Sequence, residues 1–235
     1  MIIKISPHIL SIHKEKTMGQ AYRINRLHLI TYKCRPKKVV NDARCRYLAK
    51  SQLVNCLAKN KEYHFVNFRG SHFKKVNFSS SVISGCDFWG ASFNKCDFRN
   101  TRITDCVFMS CRFSDCKFDG AVIEYTTIVN TNLSGCHNII LGKNVEVLFQ
   151  YPKWICTHEL EDVLRRLKEN PNIRKYKLLH LPGNKYNALN LYLLQKKFSL
   201  DELPKLLWKL SEKSNRNLTT YKKLELALKS EKKML

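Results

Sequence analysis

The sequence predicts a stacked solenoid of short repeats, mainly β, with helical flanks. Three observations predict it. Residues 66–135 fall into fives without an insertion, a period of twenty lies over the period of five, and after residue 155 the apolar spacing changes to that of helices. The central place of each five is held by Phe68, Phe73, Phe78, Ile83, Phe88, Phe93, Phe98, Ile103, Phe108, Phe113, Phe118, Ile123, Ile128 and Leu133, which we take as the core. Two residues before each centre stands a small residue, such as Ser71, Ser81, Cys86, Cys96, Cys106 or Cys116.

A period of five belongs to neither a helix nor a strand, so it must belong to a repeat unit. The longer period shows how the units stack. Ile83, Ile103 and Ile123 share one register and Phe73, Phe93 and Phe113 another, while Cys96, Cys116 and Cys136 share a third. Equivalent corners meet like with like when four fives make one coil and each coil lies on the last.

This pattern of a small residue, a polar one, Phe or Leu, and two variable places resembles the pentapeptide-repeat family. The resemblance implies a right-handed, four-sided parallel β-helix over 65–140, with the central and small residues pointing inward. At roughly 4.8 Å per layer, about 3.5 coils would stand only about 17 Å tall. The end coils of so short a rod expose strand edges and apolar side chains, so the flanks are expected to cap it.

Upstream, Asn41 or Asp42 can cap a helix over 41–64, with Leu48, Leu53, Cys56 and Leu57 on its apolar side. Arg44, Arg46 and Lys50 then lie on the exposed side as candidate anion-binding residues. Residues 1–40, with a weak alternation at LHLIT, are expected to be a partly ordered basic segment, and Met18 is an alternative start. Downstream, 141–154 reads as a linker, and its VEVLFQYP stretch resembles a protease site only by coincidence. Residues 155–235 read as a small helical bundle. Its first helix follows Thr157 with Leu160, Val163, Leu164 and Leu167 inside, and Asn170-Pro171 ends it. A second helix is expected at NALNLYLLQKKF, a third after Ser199, and a fourth from about Thr220 to Lys233. HLPGNK at 180–185 lacks phosphate-loop spacing and reads as a turn between helices.

The formal charge of +23 sits in the flanks. Residues 1–64 have 14 basic and 3 acidic residues, 65–140 have 8 and 6, and 141–235 have 20 and 10. Such flanks admit weak nucleic-acid binding through phosphates. No apolar run is long enough to span a membrane, and the MIIKISPHILSIHKEK start has too short an apolar run for an export signal. Ten cysteines without such a signal argue for free thiols and a cytoplasmic protein. Cys106, Cys111 and Cys116 could face one another within a coil, but packing as small apolar groups accounts for them better than zinc. The eight histidines show no paired ligand or catalytic spacing. No catalytic residue, metal or cofactor is expected. The reading is a non-enzymatic scaffold for an unidentified protein partner, with nucleic-acid binding through the flanks as the alternative. The resemblance adds protection of DNA gyrase by DNA mimicry, which a short, near-neutral rod in a basic chain fits poorly.

Overall fold

A computed structural model describes residues 26–32, 35–212 and 217–234. They form a β-solenoid of about six turns, with several helices after it. All the solenoid's sheets are parallel. One stacks His28–Ile30, Gln52–Val54, His72–Lys74, Ser92–Asn94 and Arg112–Ser114, and a second stacks Ala43–Arg44, Glu62–His64, Val82–Ser84, Arg102–Thr104 and Val122–Glu124. A third holds Asp87–Trp89, Val107–Met109, Thr127–Val129 and Glu146–Leu148, while Cys116–Lys117 pairs with Cys136–His137.

The register explains the double period. Phe73 pairs with Phe93 and Phe93 with Phe113, and Ile83 pairs with Ile103 and Ile103 with Ile123. Stacked phenylalanines lie nearly parallel, 4.9 Å apart for Phe73 and Phe93 and 4.8 Å for Phe98 and Phe118. Each such pair contributes roughly 0.5–1.5 kcal/mol beyond its buried area. The chain turns its corners by placing every fifth residue in the left-handed region, for example Asn55, Asn60, Phe65, Gly70, Lys75 and Ser80. At Gly85, with φ +62°, an added Cβ would also come within 2.6 Å of the Phe65 ring.

The structure corrects the N-terminal flank. Residues 41–64 are not a helix but further turns of the solenoid, with Ala43 paired to Tyr63, Leu53 to Phe73 and Tyr63 to Ile83. Leu48, Leu53, Ala58 and Tyr63 continue the frame of fives and are buried, whereas Leu57 is only half-buried. Lys50, Asn55 and Asn60 adopt positive φ, which a helix does not allow. The stacked ladder and the apolar interior outweigh local helix propensity here. The expected length of about 3.5 coils is therefore too short. The LHLIT stretch supplies the strand His28–Ile30, paired with Gln52–Val54. Residues 1–25, including Met18, lie outside the described residues.

The expected linker is corrected as well, because Glu146–Leu148 pairs with Thr127–Val129 as a last rung. That partner lies one residue short of the twenty-residue spacing, so the frame of fives does not reach it. The linker thus shrinks to the residues after Leu148.

The bundle comprises α1 (His158–Lys168), α2 (Pro171–Tyr176), α3 (Ala188–Gln195), α4 (Glu202–Glu212) and α5 (Tyr221–Lys232). Thr157, Asn187 and Thr220 cap α1, α3 and α5 by accepting backbone N–H groups. Pro171 does not merely end α1. It opens α2, where its missing N–H costs nothing. HLPGNK is part of a small antiparallel hairpin, His180–Leu181 with Lys185–Tyr186, rather than a plain turn.

The bundle caps neither end of the rod. Its core of Leu164, Leu167, Leu194, Leu207 and Leu224 is continuous with Trp89, Val107 and Val129, all from the third sheet. In each strand of that sheet the centre, such as Phe88, points inward, so its neighbours Asp87 and Trp89 point outward. The bundle therefore lies along one side of the solenoid and buries that side.

Candidate functional site

Two surfaces follow from this arrangement: the seam between solenoid and bundle, and the open end at the last rung. The seam is polar as well as apolar. Asn67 Nδ2 donates to the Thr219 carbonyl at 2.9 Å, and the Thr219 hydroxyl donates to the Phe65 carbonyl at 2.6 Å. The backbone N–H of Tyr221 donates to Asp87 Oδ2 at 2.9 Å, at the first residue of α5. The other oxygen of Asp87 is buried and has no hydrogen-bond partner among the described residues. Burial pushes the Asp87 carboxyl up to about 7, against the opposing pull of the Tyr221 N–H and the Arg69 guanidinium. The Arg69 guanidinium carbon lies over the Trp89 ring, 3.9 Å from its centroid.

Toward the last rung the seam's charges are paired. Lys222 meets Asp105 at 2.9 Å, and Lys196 meets Glu146 at 2.7 Å, with Tyr192 donating to the same carboxylate at 3.2 Å. These pairs border a groove of about 640 Å³. Toward the first turns the seam holds cations instead. Lys177 is pushed down first by burial and then by Arg69 and Lys50.

Among the described residues no strand lies beyond the last rung. Glu146–Leu148 has a neighbour on one side only. Around it Ile140 is 74% exposed and Phe149 86%, with Tyr151 and Leu141 also open to solvent. A hollow of about 850 Å³ is lined there by Cys111, Leu133, Leu141, Val147 and Phe149.

Of the fourteen centres named from the sequence, twelve are buried. Phe113 and Leu133 are half-buried, the latter at the hollow of the open end. Arg44, Arg46 and Lys50 are all exposed, but with no helix under them they do not form one basic side. Arg44 ends a strand, Arg46 precedes the rung at Tyr47, and Lys50 sits in a corner with φ 58° beside the seam. The seam itself was not visible in the sequence, although outward Trp89, Val107 and Val129 in one register were a trace of it.

The cysteines act as small hydrogen-bond donors. Cys86, Cys96, Cys106 and Cys116 each direct Sγ at the carbonyl of the centre one coil earlier, at 3.3–3.5 Å. Hydroxyls do the same in equivalent places, as Ser81 donates to Ala58 at 2.6 Å and Thr101 to Phe78 at 2.8 Å. Burial pushes the Cys111 thiol up to about 12 and raises Cys106 as well. A thiol so held protonated is a poor metal ligand, whereas Cys116 is drawn down by the Cys96 thiol beside it. Among the described residues no group of three metal-ligating side chains comes together, and no helix is long and apolar enough to cross a membrane.

Residues 64–100 match the family model of pentapeptide repeats, in eight copies. No match was found among curated proteins. A trypsin-treated form of QnrB1, a plasmid-mediated fluoroquinolone resistance protein, is similar at 21% identity and a TM-score of 0.43, covering 53% of this chain and 67% of that one. Rfr23, a pentapeptide repeat protein from the cyanobacterium Cyanothece 51142, is 12% identical with a TM-score of 0.31, over 53% of this chain and 87% of its own. HetL of Nostoc sp. strain PCC 7120, a pentapeptide repeat protein involved in heterocyst differentiation regulation, is 11% identical with a TM-score of 0.24, over 48% and 62%. The matched stretch 64–100 consists of pentapeptide repeats, and the turns stacked on either side of it belong to the same solenoid.

Proposed function

We propose that the protein is a non-enzymatic scaffold whose right-handed, four-sided solenoid holds a protein partner at its open end, beside the bundle. The observation that carries this reading is the uncovered last rung. An unpaired strand edge next to exposed Phe149, Ile140 and Leu141 is a surface that a soluble protein keeps only at a cost, and such patches are where partners dock. The rung offers backbone hydrogen bonds along its edge and an apolar hollow for side chains, the two elements of strand addition. Protection of DNA gyrase by DNA mimicry is not favoured, since the chain's net charge of +23 has the wrong sign for a DNA substitute.

A photo-crosslinking residue at position 149 tests the reading against the same residue at position 102, on a sheet face away from that end. The expected result is one discrete protein adduct from position 149, lost in the Leu141→Asp background without a change in melting. Equal adducts from both positions, or adducts that contain only a second copy of this chain, would overturn it.

A further inference from the structure

A second, separate surface lies on the bundle. A groove of about 610 Å³ runs between α1, α2 and the 180–186 hairpin, lined by Arg165, Lys168, Arg174, Lys177, His180 and Tyr186. No carboxylate lines it. Arg165 is held by Glu161 on its own helix at 2.8 Å, but Lys168, Arg174 and Lys177 have no carboxylate partner among the described residues. Lys177 also feels Arg69 and Lys50 across the seam, which push its ammonium down.

Like charges gathered in a recess repel, and the nearest offset is Glu161, which is taken up by Arg165. Along the seam, by contrast, Lys222, Lys196 and Lys229 meet Asp105, Glu146 and Glu225, so the groove differs in gathering several cations in one recess with no carboxylate in its lining. We propose that the groove takes a nucleotide phosphate, held by Lys168, Arg174 and Lys177. Arg174 offers a planar fork to phosphate oxygens and the two lysines supply point charges. The groove is also too large for a bare anion, and lies in the size range of small-molecule sites. Its wall of Tyr186, Leu181 and Pro182 gives a base an aromatic and apolar surface to rest on. Lys50 and Arg69, whose charges act on Lys177, extend the positive field beyond the groove. This site is independent of the partner surface proposed at the open end.

Three ligands identify the source of the phosphate: ATP, a labelled single-stranded twelve-residue oligothymidylate, and inorganic phosphate, each titrated at 50 and 200 mM salt. The variant carries Lys168→Glu, Arg174→Glu and Lys177→Glu, and the control carries Lys205→Glu, Lys209→Glu and Lys233→Glu, with the same change in net charge. ATP or the oligonucleotide is expected to bind, with affinity cut at least tenfold in the groove variant and less than threefold in the control. ATP binding alone identifies a free nucleotide as the ligand, and oligonucleotide binding alone identifies a strand. For the strand, the salt slope should fall by roughly 2 in the groove variant, as about three phosphate contacts at about 0.7 each are lost. If the groove variant does not fold, Arg174→Gln is compared with Lys209→Gln, and about a threefold loss confined to the former is expected. Equal losses in groove and control variants, inorganic phosphate competing as well as ATP, or no binding of either nucleotide ligand would overturn the proposal.

Discussion

Phe98→Asp is expected to abolish the native fold at 25 °C. Phe98 is 2% exposed and stacks between Phe78 at 5.1 Å and Phe118 at 4.8 Å, with Phe93 edge-on at 5.6 Å. The substitution removes both stacked pairs and the burial of a whole ring, roughly 1.5–3 kcal/mol for the burial alone. It also places a carboxylate in an apolar interior whose few inward donors, such as Thr101 and Cys96, are already bonded to backbone carbonyls. That desolvation adds several kcal/mol, and the sum exceeds the stability of many domains. Asp97→Lys, one residue earlier and facing out, should cost only about 1 kcal/mol. That cost is not zero, because Asp97 Oδ1 accepts the Arg99 backbone N–H at 3.0 Å and its other oxygen meets the Arg99 guanidinium at 2.7 Å. Thermal melting checks both, and equal melting of the two variants would contradict the inward frame.

A second large effect is expected at Asp87, as a dependence of stability on pH. In the unfolded chain its carboxyl releases a proton near 3.8, whereas in the folded seam burial holds the proton up to about 7. Between those values the folded state carries one proton more than the unfolded state. The contribution of Asp87 to stability therefore falls as pH rises through that window, by about 1.4 kcal/mol per pH unit, and is flat on either side. Asp87→Asn keeps an acceptor for the Tyr221 N–H and removes the titration. Between pH 5 and pH 7.5 the native protein should lose about 2–3 kcal/mol more stability in urea than this variant does. Parallel losses in the two proteins would show that the carboxyl is not buried against α5.

The repeat was legible because a solenoid writes its geometry into the sequence, with inward centres at a fixed spacing and like residues stacked one coil apart. What failed at 41–64 was the place where the frame was taken to begin. Leu48, Leu53, Ala58 and Tyr63 keep the spacing of five, but Ala58 and Tyr63 depart from Phe and Ile, and Leu48, Leu53, Cys56 and Leu57 also mimic a helical stripe. Asn55 and Asn60 in the corners were the sign against a helix, since asparagine tolerates the left-handed region. The helices of the bundle were readable from apolar spacing and from Thr157 ahead of the first, while the caps at Asn187 and Thr220 came from the structure. Where the bundle docks was not, because the contact joins residues such as Asn67 and Thr219, 152 positions apart, and no local pattern records it. The groove was missed for the same reason. Lys168, Arg174 and Lys177 lie in a chain already rich in lysine, and only the fold shows which of them lack a counter-charge.

The central claim is that the bundle lies along one side of the solenoid rather than over its end. Zero-length carbodiimide coupling tests it most directly, because the reagent joins an amine to a carboxylate only where the two already touch. Mass spectrometry of the coupled protein should find Lys222 joined to Asp105 and Lys196 joined to Glu146, the contacts at 2.9 and 2.7 Å that tie α5 and the end of α3 to separate turns of the solenoid. Coupling confined to pairs within the bundle, such as Lys232 to Glu202, with neither seam pair formed, would contradict the lateral docking.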